Sequence, residues 1–540
     1  MMHLPRIAAF GLALYALLPA APAAAVEAKP LHRELGAATE EQRAALKALL
    51  DNPALQVAGQ MLDGPSLHRL YEATGYDLLW AGRDERIAAL TAAYAGATDD
   101  GLDVPSPLSD PFKAKVADPV VRDVLLSDAA LRLASALATG RTRPESWEDD
   151  WAVPAPNFDA VNGLMGAFRG DKLGPWLAGL APSDERYVRL KGALAHYRQL
   201  AAQEPWPRVP SGPTLKPGMV DDRIALVRRR LTAEGYLPVD QAAADATSDA
   251  PADPAFFDPA LEAAVNDFQT RHGIVPDGTV GARTVAAMNV PARARVEQIA
   301  LTLERWRSLP REFGRNYAFV NVPGESLEIF EDGTPVLSMK VVVGDPTHPT
   351  PVVTSRISAI TFNPVWHIPT SIAQKEIVPK IKADPKYLAK NDMVQKGSYV
   401  FEQLAGPKNP LGQIKFETPN KFDVYLHDTS THQTFERVAR ALSHGCVRTE
   451  NARELAAYVL SGPKWNPEEI EKVIASTETQ KVDVVRHLKV AILYFTSFVD
   501  ADGTIEFRDD IYGRDKRLRA ALQSGNASVA VNPPPKPGVG

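Results

Sequence analysis

Five hundred and forty residues, at about 150 per domain, predict three or four domains, each long enough to bury a core of its own. Lys and Arg number 60 against 66 Asp and Glu, a net charge of −6 with no long basic run, which excludes a surface built to track a phosphate backbone. The single cysteine, Cys446, excludes an internal disulfide and leaves a thiol that is either inert packing or a reactive group.

The chain starts with one positive charge at Arg6, an apolar run over residues 7–18 and the small residues Ala23-Ala24-Ala25. That order predicts a signal peptide over residues 1–25, cut after Ala25, or an N-terminal anchor if it is left uncut. An exported protein sits in an oxidising compartment, where cysteines are kept in pairs or not at all, so one retained thiol points to use.

Residues 35–210 carry Ala and Leu at helical spacing, punctuated by Asp51-Asn52-Pro53, Asp103-Val104-Pro105, Thr142-Arg143-Pro144 and Ala181-Pro182-Ser183. They predict a helical domain without evident catalytic residues. Residues 205–217 hold five prolines, the composition of a stiff connector. Over residues 218–292 a first helix presents Val220, Ile224, Val227 and Leu231 on one face and stops at Gly235. After a polar loop over residues 241–255, Asp258-Pro259 opens a second helix and Gly281 a third.

From Tyr317 the hydrophobic period changes to alternation. Strands are predicted over residues 318–322, 326–330, 337–343 and 357–362, with a hairpin turn at Glu331-Asp332-Gly333-Thr334. The apolar stretch over residues 490–499 is of strand length and belongs in the same sheet. Residues 422–427 form a further strand that delivers His427 at its end, and a helix over residues 450–460 follows the turn that carries Cys446, capped by Asn451 or Thr449. The domain over residues 315–515 is therefore mainly β. A helical, lysine-rich insertion over residues 372–401 interrupts it and is placed to act as a lid. The tail over residues 524–540 is proline-rich and reads as disordered.

Ser443-His444-Gly445-Cys446-Val447-Arg448 follows His427 after fifteen residues. A free cysteine of pKa about 8.5 is mostly protonated near neutral pH and needs a base; an imidazole within hydrogen-bond reach supplies one, and such pairing can bring a thiol down to roughly 3.5 to 7.5. Gly445 lets the backbone turn tightly and lets a substrate approach, and amides around such a turn suit a developing oxyanion. Two other readings of the same residues are a buried packing cysteine and a zinc site of His427, His432, His444 and Cys446, although the paired spacings of structural zinc sites are absent.

Two resemblances sharpen this picture. Leu226 through Gly235-Tyr236-Leu237, Ala264-Val265-Asn266-Asp267-Phe268-Gln269, His272-Gly273-Ile274 and Asp277-Gly278-Thr279-Val280-Gly281 resemble the peptidoglycan-binding domain of bacterial wall enzymes. His427 with Ser443-His444-Gly445-Cys446 resembles the signature of the L,D-transpeptidases, cysteine enzymes that cross-link peptidoglycan stems. Val343-Gly344, Asn363-Pro364-Val365-Trp366-His367-Ile368-Pro369, Pro407-Lys408-Asn409-Pro410-Leu411-Gly412 and the segment from Phe507 to Asp515 are similar to that family as well. The order of helical scaffold domain, peptidoglycan-binding domain and mainly β catalytic domain with a helical lid insertion is similar to its large periplasmic members.

What the resemblance implies is a periplasmic, wall-associated transferase with no cofactor and no nucleic-acid partner. Cys446 is then the nucleophile and His427 its base. His444, Gly445, Arg448, Tyr425, Trp366 and Ser443 are implied as oxyanion- or substrate-binding residues. The implied substrates are peptidoglycan stem peptides and glycan, with other wall-synthesis proteins as further partners. A carboxypeptidase, a protein-anchoring enzyme and a non-catalytic wall-binding scaffold remain as alternatives.

Overall fold

The structure is a computed structural model that describes residues 38–52, 55–57, 60–102, 116–238, 253–462 and 464–524. The expected signal peptide and disordered tail, and most of the loop over residues 241–255, lie outside the described residues.

The first part is helical, as the alanine-leucine spacing predicts. It contains α1 (Glu40–Leu50), α2 (Gly64–Ala73), α3 (Asp84–Ala97), α4 (Pro119–Thr139), a two-residue strand β1 (Trp151–Ala152), α5 (Ala160–Arg169), α6 (Leu173–Ala178) and α7 (Glu185–Ala201). Side chains at the helix starts accept the free amide N–H groups there: Thr39 in a capping box, and Asp63, Asp118, Asp159 and Asp184. α4 is apolar nearly all round because it is the central helix of this core, which gathers Leu67, Tyr71, Trp80, Leu90, Leu131 and Leu164. Helix α7 departs from the pattern. Its Tyr187, Leu190, Leu194 and Tyr197 join the core of the C-terminal β domain instead.

The second part holds α8 (Asp222–Ala233), α9 (Pro259–Arg271) and α10 (Ala282–Met288) around Ile224, Val227, Leu231, Leu261, Val265 and Phe268. Asp258 caps α9 by accepting from the Leu261 N–H at 2.7 Å, with Pro259 in the first turn. This unit leans on the β domain: the His272 ring lies 5.6 Å from that of Phe507, and Arg508 Nη1 donates to the Arg271 carbonyl at 3.1 Å. Helix α11 (Ala292–Arg307) then lies beside α7 and stacks Trp306 on Phe495 at 5.1 Å.

The β domain is built from β2 (Asn316–Asn321), β3 (Ser326–Glu331), β4 (Thr334–Gly344), β5 (Val352–Phe362), β6 (Trp366–Ile368), β7 (Met393–Gly397), β8 (Val400–Gln403), β9 (Ile414–Glu417), β10 (Leu426–His427), β11 (Ala441–Ser443), β12 (Val447–Thr449), β13 (Gln480–Leu493), β14 (Ser497–Val499) and β15 (Ile505–Phe507). The strand order β9-β10-β12-β4-β3-β2-β13-β5 returns on itself, because β9 also pairs with β5. The β3–β4 turn has Asp332 and Gly333 both at positive φ, the conformation a tight hairpin requires. Helices α12 (Val378–Ala383) and α13 (Tyr387–Lys390) belong to the insertion, and α14 (Ala452–Leu460), α15 (Pro467–Ala475) and α16 (Arg514–Gln523) to the body of the domain.

Two expectations need correction. The strand foreseen over residues 422–427 is regular only at Leu426–His427, because Thr418 and Asn420 draw the Val424 carbonyl into a local turn. The insertion is not purely helical: its second half is the β7–β8 hairpin, which pairs with β6 in a separate three-stranded sheet. That hairpin alternates only weakly, since β7 is exposed along nearly its whole length.

Candidate active site

Strands β10 and β12 run parallel, with Leu426 opposite Val447 and His427 opposite Arg448. Leu426 and Val447 are fully buried in the core. Because strand side chains alternate, Tyr425, His427, Cys446 and Arg448 face the other way together. The backbone holds this register: the Val447 N–H donates to the Tyr425 carbonyl at 3.1 Å. Lys415 on β9 stands opposite His427, and its ammonium lies 4.2 Å from the centre of the Tyr425 ring.

His427 is buried, and its Nδ1 lies 2.5 Å from the Asp428 carbonyl. A carbonyl only accepts, so Nδ1 carries the proton and Nε2 keeps the lone pair. Burial, reinforced by the Arg448 charge, pushes the imidazole down to about 3. The ring is a neutral base throughout the physiological range. Asp428 also fixes the preceding loop, accepting the Gln413 N–H at 2.8 Å, and a side chain at Gly412 would collide with its carboxylate.

The Cys446 thiol is not lowered in this way. Burial raises it above the ordinary cysteine value, opposed by the Tyr425 N–H and hydroxyl and by the charges of Lys415 and Arg448. Among the hydrogen bonds of the described residues, none joins Cys446 to His427. The resting pair is a protonated thiol beside a neutral imidazole, and apo geometry of this kind tightens when substrate binds. Tyr425 is itself held as a neutral phenol, pushed up chiefly by burial.

The turn before Cys446 is closed by Ser443. Its hydroxyl donates to the Cys446 carbonyl at 2.5 Å and accepts the Gly445 N–H at 3.1 Å. The Ser443 hydroxyl and the Gly445 amide are thus both engaged within the turn itself. Gly445 itself needs its missing side chain, with φ at +108°. Among the described residues the Cys446 N–H meets no acceptor.

His444 is exposed and points at the insertion, where its Nε2 lies 2.7 Å from Glu376 Oε1. The His348 ring stands 4.7 Å away, so His444 sits on the wall between loop and insertion. Trp366 does not join the cysteine. It packs against the insertion's own small core of Ile368, Ala373, Ile377 and Phe401. The base of the insertion is pinned by buried Asn409, whose amide donates to the carbonyls of Pro364, Gln403 and Leu404. The zinc reading fails on geometry: among the described residues no group of three or more His, Cys, Asp or Glu side chains is placed to hold a metal ion.

Sequence reasoning missed Thr350 and Glu376. The hydroxyl of Thr350, which is fully buried, donates to the Gly445 carbonyl at 2.8 Å and accepts the Gly344 N–H at 2.8 Å. The paired prolines around Thr350, Pro349 and Pro351, were the available signal of a stiffened loop. Glu376 carried none, being one acid among several lysines.

Three family models match the chain. Residues 315–475 match the L,D-transpeptidase catalytic domain, residues 65–194 a scaffold domain, and residues 220–288 a domain described as "Putative peptidoglycan binding domain". A curated relative from Haemophilus influenzae, described as "Putative L,D-transpeptidase", is 32% identical over 245 residues, covering 42% of this chain and 49% of the relative. The chain thus spans about half the length of that relative. Solved structures with some likeness include an L,D-transpeptidase from Mycobacterium smegmatis (13% identity, 33% of this chain and 58% of that one, TM-score 0.18). Another is residues 123–326 of an L,D-transpeptidase from Xylanimonas cellulosilytica (15% identity, 54% of this chain and 100% of that one, TM-score 0.19).

Proposed function

We propose that this chain, which carries an L,D-transpeptidase catalytic domain, cross-links peptidoglycan stem peptides through a thioester on Cys446. The observation that carries the reading is the shared face of β9, β10 and β12, which carries a thiol, a neutral imidazole and the cations Lys415 and Arg448.

In the first half-reaction His427 Nε2 takes the Cys446 proton as the sulfur attacks the carbonyl of the third stem residue. The negative charge that develops on the carbonyl oxygen is met by the Cys446 N–H, with the Tyr425 hydroxyl and the Arg448 charge nearby. His427 then returns the proton to the departing amine of the terminal D-alanine, leaving a thioester. In the second half the side-chain amine of a diamino acid from another stem attacks that thioester, and the thiol is restored. Water as acceptor would give a carboxypeptidase and a protein lysine an anchoring enzyme, both on the same residues.

The peptidoglycan-binding domain supports peptidoglycan as the substrate, and the family supports an exported, wall-associated protein, which we place in the periplasm. No helix of the described residues is long and apolar enough to cross a membrane. We assign residues 315–515 to the catalytic unit, 372–401 to its lid, 218–292 to wall binding and 35–210 to the scaffold. The test is incubation of the purified protein with disaccharide tetrapeptide and mass analysis of products. Cross-linked dimer with release of one alanine is expected; tripeptide alone would make it a carboxypeptidase, and unchanged substrate would overturn the reading.

A further inference from the structure

The oxyanion donor just described belongs to the same rigid unit as the Gly445 carbonyl. A peptide group is planar and trans, so whatever fixes that carbonyl also fixes the direction of the Cys446 N–H, which points the opposite way. The Gly445 carbonyl is fixed by Thr350 Oγ1 at 2.8 Å, across from the loop over residues 345–351. The approach is too close for any side chain at Gly344, where an added Cβ would lie 2.0 Å from the His348 carbonyl oxygen and 3.1 Å from Gly445 Cα.

Thr350 is in turn held from two directions. Its N–H donates to the Tyr512 hydroxyl at 3.3 Å, and Tyr512 donates to the Gly344 carbonyl at 2.5 Å. Its carbonyl accepts from Arg514 Nη2 at 3.1 Å. Arg514 is 1% exposed and lies over the rings of Tyr494 and Tyr512, at 4.9 and 5.1 Å. Its charge is balanced by two acids of the helical scaffold region, Glu148 at 3.3 Å from Nε and Asp150 against Nη2. The same scaffold segment adds β1 to the main sheet in parallel with Val352 and Val353, and the Asp150 carbonyl accepts the Val352 N–H at 3.0 Å.

The geometry points to Thr350 as a positioning residue that aims the Cys446 N–H at the developing oxyanion, braced through Arg514 by Glu148 and Asp150, so that the scaffold region is a working part of the active site. This rests on the acyl-transfer reading for its rate consequence, but not for its structural one. Removing the Thr350 hydroxyl frees the peptide plane to rotate and leaves a buried N–H and carbonyl without partners.

The experiment compares the full-length protein with Thr350→Val, Thr350→Ser and Asp150→Asn. Three readouts are taken: acylation of Cys446 by a small tetrapeptide, the pH dependence of its alkylation by iodoacetamide, and the melting curve. Thr350→Val is expected to lower the acylation kcat about a hundredfold with KM little changed, the size expected of a small misplacement. Thr350→Ser, which restores a hydroxyl, should recover to within about tenfold, and Asp150→Asn should lose about threefold to tenfold through a loosened Arg514. The alkylation profile of Thr350→Val should shift from wild type, because the thiol's surroundings move.

A Thr350→Val protein that melts lower but acylates at the wild-type rate overturns the proposal, as does a serine variant no better than valine. Should the valine variant fail to fold, the serine and asparagine variants decide it, and wild-type kcat in Asp150→Asn overturns the bracing. If wild type itself performs no acyl transfer, the function above fails, while an unshifted alkylation profile in Thr350→Val would still count against the positioning role.

Discussion

The two sides of the active site are made in different ways. On one side, Tyr425, His427, Cys446 and Arg448 are fixed by the register of two buried parallel strands, whose inward residues Leu426 and Val447 belong to the main core. On the other, the insertion has a sheet and a small core of its own, anchored at its base by Asn409 and touching the Cys446 turn through the half-exposed pair His444–Glu376. The residues proposed for the chemistry are thus tied to the main sheet, while the insertion is packed as a unit of its own.

The largest test of this division is at the sulfur. Cys446→Ala should lose acyl transfer by a factor on the order of 10^5 while keeping the wild-type melting curve, since no other thiol exists to replace it. His427→Ala should cost about 10^2 to 10^4 in acylation rate, and His444→Ala far less. A dead His444 variant beside an active His427 variant, in a single pH-rate series, would show that the base sits on the wrong side of this comparison.

The pH dependence sharpens it further. His427 titrates near 3 in the folded protein, below its ordinary value, so its contribution to stability is complete above about pH 6.5 and is lost as the pH falls toward 3. The acid limb of kcat/KM should therefore fall well below pH 6.5. The thiol is shifted the other way, so its contribution is present at neutral pH and lost as the pH rises past the ordinary cysteine value. Alkylation of Cys446 should still be accelerating at about pH 9, where an ordinary thiol of pKa about 8.5 has begun to level off. A plateau below that pH would mean a thiolate at rest.

The smallest effect belongs to the insertion. Glu376→Gln removes an exposed pair of about 0.2 to 1 kcal/mol, at most about fivefold in an equilibrium constant. A change of that size in kcat/KM, with melting curve and alkylation unchanged, is expected; a hundredfold loss would make Glu376 part of the chemistry.

Much of this was legible in the chain. Alternation from Tyr317 marked β2 to β5, Asp258-Pro259 marked the start of α9, and the motifs around His427 and Cys446 marked the two strands that the fold sets side by side. What stayed hidden depends on contacts across long sequence separations. Nothing in Asp149-Asp150-Trp151-Ala152 says that two residues of a helical region will pair with Val352 and Val353, some two hundred positions later. Local pattern likewise cannot show that Ser443 spends its hydroxyl on its own turn, or that enclosure outweighs nearby positive charge at the thiol. Both outcomes are set by packing density around a few atoms, which periodicity does not encode.

The raised thiol has one more consequence, for the lifetime of the enzyme. Peroxide attacks the thiolate, and a first oxidation to sulfenic acid is ordinarily rescued by a second cysteine that captures it as a disulfide. This chain has no second cysteine, so any such lesion would have to be undone from outside or would progress to an irreversible acid. Under the proposed mechanism Cys446 stays protonated between turnovers and ionises only as His427 takes its proton, which limits the time the sulfur spends in its vulnerable form.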